Sequence, residues 1–346
     1  MKKAAFCGAE LPENTKKNVQ EGEASSTLLL SEKIHSTKPF RQRLQMDAKQ
    51  NWPLYLMALP VIVFFIIFSY IPMAGIVMAF QNVNISKGIF GGEWIGIKNF
   101  TDYFTNIYFS RTMVNTLIFS FLQIIFVFPS SIVLALMLNG VAHKIFKRTV
   151  QTIYYMPFFI STVVVCGLIK SFLDPTGFIG SAFANWGWID ADTSVLIYPK
   201  YFRAIIIITD IWQGIGFGSI IYVAALSSID KTLYEAADID GAGRWTKLWY
   251  ITLPSILPMI MLMLILKIGS LLSVGIDKIV ALYNAETRPV AETISSYVYN
   301  MSFGMNGSNA NYGLSTAVGL FQSVASLILL GISNWLGKKF TGYGLV

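Results

Sequence analysis

An all-α, polytopic bundle of six membrane-crossing helices is what this sequence predicts, and three observations predict it. Hydrophobic residues make up 54% of the 346 residues and charged residues only 13%, about half the roughly 25% charged share of a soluble domain. The apolar residues gather in separate runs near the roughly 20-residue length with which a helix crosses a hydrocarbon layer. Inside such a layer every backbone N–H and C=O has to be satisfied within the segment, so runs of this length imply helices.

Along the chain, residues 1–50 read as a polar, cytoplasmic and disordered tail with Lys2, Lys3, Lys16 and Lys17, a Glu/Ser-rich stretch and no apolar core of signal-peptide length. A basic cluster, Lys38, Arg41, Arg43 and Lys49, precedes the first apolar run. Residues 51–346 then form the membrane domain, with spans expected at about 53–80, 112–138, 150–172, 202–226, 255–276 and 313–336. With the amino terminus inside, the cytoplasmic segments hold Lys144, Lys147 and Arg148, then Lys231, Arg244 and Lys247, then Lys338 and Lys339. The outer segments are longer and poorer in basic residues, with Lys87, Lys98, Lys200, Lys278 and Arg288. That asymmetry predicts a multi-pass protein with both termini in the cytoplasm. Trp52, Trp94, Trp186, Trp188 and Trp335 stand at or near span ends, as interfacial aromatics do, although Trp186 and Trp188 suit packing within an outer loop equally well. Pro60, Pro72, Pro129 and Pro157 fall inside spans, where each removes a backbone hydrogen bond.

Several function classes are excluded early. The net charge of +7 comes from short basic segments beside apolar runs and so points to a membrane face, with no nucleic-acid partner. Cys7 and Cys166, His35 and His143 are the only cysteines and histidines, too few for a disulfide framework, a zinc site or a His-based catalytic centre. No internal repeat relates the two halves, which disfavours a secondary transporter built from inverted repeats. A membrane enzyme would need paired acids or a nucleophile with its base, and neither is found.

The segment at about 229–254, between the fourth and fifth spans, carries the strongest functional signal. It reads as two short helices meeting at Gly241 to Gly243. Thr232 and Glu235 fit a capping box at the start of the first helix, and Gly241 suits the positive-φ residue that ends it. Ala236, Ala237 and Ala242 leave room for another protein to approach, while Leu248, Trp249, Ile251 and Leu253 give the second helix apolar material. On these grounds alone the segment is either a docking element or a plain amphipathic connector.

The full string decides between them. Glu235-Ala236-Ala237, three residues to Gly241, then Ile251-x-Leu253-Pro254, resembles the Glu-Ala-Ala loop of binding-protein-dependent ABC transporter permeases, with Asp240, Gly241 and Ala242 standing where that family has Asp-Gly-Ala. Tyr70-Ile-Pro-Met-Ala-Gly75, Trp94-Ile-Gly-Ile-Lys-Asn-Phe100, Asn115-Thr-Leu117, Asp210-Ile-Trp212 and Asn311-Tyr-Gly-Leu-Ser-Thr-Ala-Val-Gly319 are similar to stretches of the polysaccharide-type branch of the maltose permease superfamily. The resemblance covers nearly all of the chain after about residue 40. It implies a type I ABC importer permease fold in a bacterial cytoplasmic membrane, importing a sugar or oligosaccharide. It implies as partners a second homologous permease forming a heterodimer, two ATPase subunits and an extracytoplasmic solute-binding protein. Glu235, Ala236, Ala237, Asp240, Gly241 and Ala242 would couple to the ATPase. Gly331 to Lys339 comes nearest to a Walker A loop but lacks its spacing and its Ser or Thr. ATP and Mg are therefore expected in a partner chain, with no cofactor and no metal site here. The competing reading is a secondary transporter or channel without an ATPase.

Ionisable residues inside spans are costly and face a partner or a water-filled cavity. Asp210 and Lys267 are the two deepest. They either pair with each other or snorkel, or they line the pathway with Trp212 stacking on a sugar face and Gln213 bonding to hydroxyls. The resemblance supports the pathway role for Trp212, Gln213 and Lys267, because sugar contacts in maltose-type permeases lie on the spans flanking the loop. Asn115, Gln123, Ser270 and Ser273 either line that cavity or bond across helices, and Ser270 is grouped with the pathway. An unpaired Lys267 would suit an acidic sugar.

Overall fold

The computed structural model describes residues 51–83, 85–305 and 310–345. The tail predicted for 1–50, with Cys7 and His35, lies outside the described residues. The described residues divide into two units at the Ala74–Gly75 boundary. Among the described residues six helical stretches are long and apolar enough to cross a membrane: Trp52–Phe80, Ile107–Asn139, Thr162–Asn185, Pro199–Ser227, Arg244–Gly269 and Tyr312–Thr341.

The first unit contributes helix α1 (Trp52–Phe65), which continues through a widened π-turn at Ile66–Tyr70. The second opens with a two-stranded antiparallel ribbon, β1 (Gln81–Asn82) against β2 (Glu93–Trp94). Helix α2 (Lys98–Thr105) follows, then α3 (Ile107–Leu122), which runs through another π-turn at Gln123–Val127 into α4 (Phe128–Asn139). A third π-turn lies at Leu248–Thr252. Each π-turn ends two residues before a proline, namely Pro72, Pro129 and Pro254. The cause is local. A helix-interior proline lacks its N–H and its ring clashes with the carbonyl four residues back. That carbonyl belongs to Phe68, Ile125 or Tyr250, in the middle of each widened turn, where an extra residue opens the ladder without ending the helix.

Two expected spans differ from the structure. Residues 150–172 do not form one helix: α5 (Lys144–Tyr155) gives way to a 3₁₀ turn at Met156–Phe159, and α6 (Thr162–Leu173) begins afresh after Ile160 and Ser161 adopt extended backbone. Pro157 starts that tight turn; α6 ends at extended Asp174, and a separate α7 (Phe178–Asn185) completes the apolar stretch Thr162–Asn185. Helix α8 (Pro199–Ser227) is continuous. After α9 (Lys231–Ile239) comes the other departure, because the fifth crossing helix already begins at α10 (Arg244–Lys247) and continues through its π-turn into α11 (Leu253–Gly269). It stops at Gly269 and does not reach 276, since Ser270 N–H turns back to Lys267 O at 3.1 Å and Gly275 adopts φ +65° before α12 (Ile276–Leu282). The chain then forms α13 (Arg288–Ala291), α14 (Ile294–Phe303) and the sixth crossing helix, α15 (Tyr312–Thr341).

Helices α4 and α8 make the most extensive pairing, and α15 packs on α11 and α14. Near the start of α8, Phe202 and Ile206 join Phe119, Cys166, Val274 and Ile279 in one buried cluster, so α12 is built into the bundle. Near its end, Tyr222 and Leu226 pack with Ala135 and Ile256. The segment around α13 is fastened by polar contacts. Completely buried Glu292 accepts from Arg111 and, at 2.8 Å, from Arg288. Asn115 donates to the carbonyls of Pro289 and Glu292 and accepts from Arg203 at 2.8 Å. Asn115 is thus spent on bonds across helices.

Candidate functional site

The hairpin of α9 and α10 is built from short-range rules. Asp230 caps α9, its carboxylate accepting the Thr232 N–H at 2.9 Å, and that bond pulls the Asp230 carboxyl below the ordinary carboxylate range. The capping box expected from Thr232 and Glu235 is not formed. Extended backbone at Asp230 starts the helix at Lys231, which places Thr232 inside the first turn and leaves Glu235 on an exposed face. At the other end Gly241 has φ +73°, with Ala242 N–H bonded to Ala237 O at 2.8 Å and Gly241 N–H to Asp238 O at 3.1 Å. This is a Schellman ending, and it turns the chain sharply into α10.

Two side-chain links close the hairpin. Lys247 pairs with Asp238 across the two arms, and Tyr234 Oη lies 2.9 Å from Thr252 Oγ1, a buried hydroxyl in the π-turn. Glu235, Ala236, Asp240 and Gly241 are exposed, with Ala237 and Ala242 partly so. Apolar side chains that a solvated connector would hide stand out beside them: Ile239 is 88% exposed, Trp245 74% and Tyr250 79%. Of these three, Ile239 belongs to α9, while Trp245 and Tyr250 stand on the opening turns of the fifth crossing helix.

At the other end of the same long helix lies a cavity of about 710 Å³. Both interruptions found in the fold line it: Phe158 to Thr162 on one wall and Ser270, Ser273 to Lys278 on another. Irregular backbone at membrane depth is tolerated where it borders such a space. Asp210 comes from α8 and is held on two sides, by Lys278 Nζ at 2.6 Å and by Gln123 Nε2 at 3.1 Å. Lys278, which sequence reasoning counted among outer-segment charges, is therefore a buried partner within the bundle. No signal in its neighbourhood marked it, because the pair joins residues 68 apart. Asp210 is not paired with Lys267.

The structure brings Asp210, Gln213, Lys267 and Ser270 to this one cavity, together with Gln123 and Ser273. Gln213 donates to the Ile160 carbonyl at 3.0 Å, bracing the break in the third span. Ser270 Oγ returns to Lys267 O at 3.0 Å. Trp212 is placed elsewhere, beside a separate apolar pocket of about 420 Å³ with Val165, Leu168 and Ile208. One residue along a helix turns a side chain by about 100°, so Trp212 and Gln213 present to different surfaces.

Comparison with known proteins places this geometry. The model of the family described as binding-protein-dependent transport system inner membrane component matches residues 127–342. The polygalacturonan/rhamnogalacturonan transport system permease protein YteP of Bacillus subtilis (strain 168) is 41% identical over 309 residues, covering 89% of this chain and 94% of that protein. A crystal structure of a bacterial alginate ABC transporter in complex with an alginate pentasaccharide-bound periplasmic protein contains a chain that is 40% identical, with TM-score 0.78, covering 88% of this chain and all of that one. Another, of a bacterial ABC transporter involved in the import of the acidic polysaccharide alginate, matches at 41% identity and TM-score 0.76 over 86% of this chain and 99% of that one.

Proposed function

The chain belongs to the family of binding-protein-dependent transport system inner membrane components, and from that premise we propose that its hairpin at Gly241 is the handle through which a separate ATPase drives it. The protein is a permease component of an ABC importer of sugars or polysaccharides, a transport subunit and not an enzyme. The single observation that carries the coupling role is the hairpin itself, closed by the Gly241 turn and the Lys247–Asp238 pair yet presenting Ile239 and Trp245 outward.

The rest of the assembly follows from that role. Two ATPase subunits, binding ATP and Mg, would seat one hairpin from this chain and one from a second, homologous permease, which would complete the pathway. A solute-binding protein would deliver cargo to the opposite face, by analogy with the alginate transporter and its pentasaccharide-bound periplasmic protein. Both termini would then lie on the ATPase side, in keeping with Lys338 and Lys339 at the end of α15. Similarity to a polygalacturonan/rhamnogalacturonan permease and to a transporter of the acidic polysaccharide alginate supports an acidic oligosaccharide as cargo.

For this machine to work, the ATPase must bind one permease conformation better than the other. The test is Gly241→Val in the complete complex reconstituted in proteoliposomes. A Cβ at Gly241 meets nothing within 4 Å, so the change acts through backbone strain of roughly 1–2 kcal/mol, about tenfold in an equilibrium. ATP hydrolysis should continue while sugar uptake falls by about that factor. Unchanged uptake would remove the coupling role from the hairpin.

A further inference from the structure

Lys267 and Lys278 are the two cations that line the large cavity, and the structure treats them differently. Lys278 is spent. Its ammonium is bonded to Asp210 Oδ1 at 2.6 Å, and Gln123 occupies the second carboxylate oxygen. Lys267 Nζ has no hydrogen-bond or ion-pair partner among the described residues, although the side chain stands near the end of a crossing helix and is only partly exposed. A charge in that setting is retained at a cost and faces something that needs it.

We infer that Lys267 meets a carboxylate of the cargo, so that the permease itself, and not only the protein that delivers the sugar, selects for an acidic oligosaccharide. The inference rests on the importer reading above. The cavity volume of about 710 Å³ lies within the ~300–1,000 Å³ of small-ligand sites. Ser270 and Gln213 supply neutral polar groups around the ammonium, and the side-chain amide oxygen of Gln213, Oε1, has no partner among the described residues, which leaves it open to a sugar hydroxyl. One further acid lines the space, Asp277 at the first turn of α12, and it also borders a neighbouring pocket with Thr162 and Tyr299. Its repulsion sets the carboxylate toward Lys267 and away from α12.

A single unpaired cation also suits transport better than two. Passage requires binding that is favourable enough to admit the solute and weak enough to release it. Asp210 holds Lys278 in an ion pair, so Lys267 is the ammonium left unbonded for the cargo to meet, not one of a pair of cations that would hold it.

The experiment uses the full complex in proteoliposomes, with saturating binding protein and two cargoes of equal length, trigalacturonate and its carboxyl-reduced neutral counterpart. Losing one charge-assisted hydrogen bond corresponds to about 10- to 100-fold. Lys267→Met should therefore slow trigalacturonate uptake by about tenfold or more relative to wild type and leave neutral uptake within about twofold, while Lys267→Arg keeps both. Equal slowing of the two cargoes, or no slowing of the acidic one, overturns the inference. A wild-type complex that imports the neutral trimer and refuses the acidic one overturns the acidic cargo as well. A wild-type complex that imports neither with ATP would instead count against the importer reading.

Discussion

Asp230 shows how a single side chain ties the hairpin to solution conditions. Its carboxylate holds the first turn of α9 through the Thr232 N–H, and that bond depresses its folded pKa below the roughly 3.9 of a free aspartate. The sign follows from linkage. A group whose pKa is lowered on folding contributes stability that is fully present above the unfolded value and disappears as pH falls through the folded one. Acid should therefore loosen the start of α9. Asparagine caps as well as aspartate without ionising, so Asp230→Asn should hold the turn and abolish the acid effect. Hydrogen exchange at the Thr232 and Leu233 amides, wild type against variant at matched pH below 4, measures it; identical behaviour of the two would remove the cap from the account.

Among the elements, α9 and the fifth crossing helix touch through few polar groups, and one bond joins them at depth: Tyr234 Oη to Thr252 Oγ1 at 2.9 Å. The Thr252 hydroxyl also reaches Lys247 O at 3.2 Å inside the π-turn, so a push on α9 arrives where the helix is widened by Pro254. Tyr234→Phe and Thr252→Val each delete this strut and should raise the ATP hydrolysed per sugar imported by about three- to tenfold, the worth of about 1 kcal/mol. The double variant should be no worse than either single one, and full additivity would show that the two hydroxyls act apart. Part of this element was legible in the sequence, because the Gly241 turn and the Glu-Ala-Ala string are encoded within a few residues. The start of α9 was not, because Asp230 and Thr232 are both competent caps standing two residues apart. The breaks at Ile160–Ser161 and Ser270–Gly275 were hidden for a different reason. Both lie in or beside apolar runs whose hydropathy reports burial in lipid and not backbone conformation. The Asp210–Lys278 pair was illegible because it depends on α12 folding back into the bundle, which no local pattern announces.

At the scale of the whole molecule, the continuous helix Arg244–Gly269 connects the two sites. Its first residues are an arm of the hairpin and its last turn carries Lys267. At 1.5 Å per residue its 26 residues span about 39 Å, the thickness of the bilayer with its interfaces. A stiff rod of that length moves the cargo lysine whenever the hairpin is moved; a soft one dissipates the motion. Leu257 is 37% exposed and Leu266 45%, so the packing lost on replacing them is matched by an alanine control. Leu257→Gly with Leu266→Gly should soften the rod, at about 1 kcal/mol per glycine relative to alanine, whereas the paired alanine replacements lose the same side-chain contacts and keep the helix stiff. The glycine variant should still bind the ATPase and still distinguish acidic from neutral cargo, yet consume more ATP per sugar than the alanine variant. Equal ATP-to-sugar ratios in the two variants would mean that motion reaches the cavity by another route, through α8 and its Asp210, and that the rod serves only as a wall.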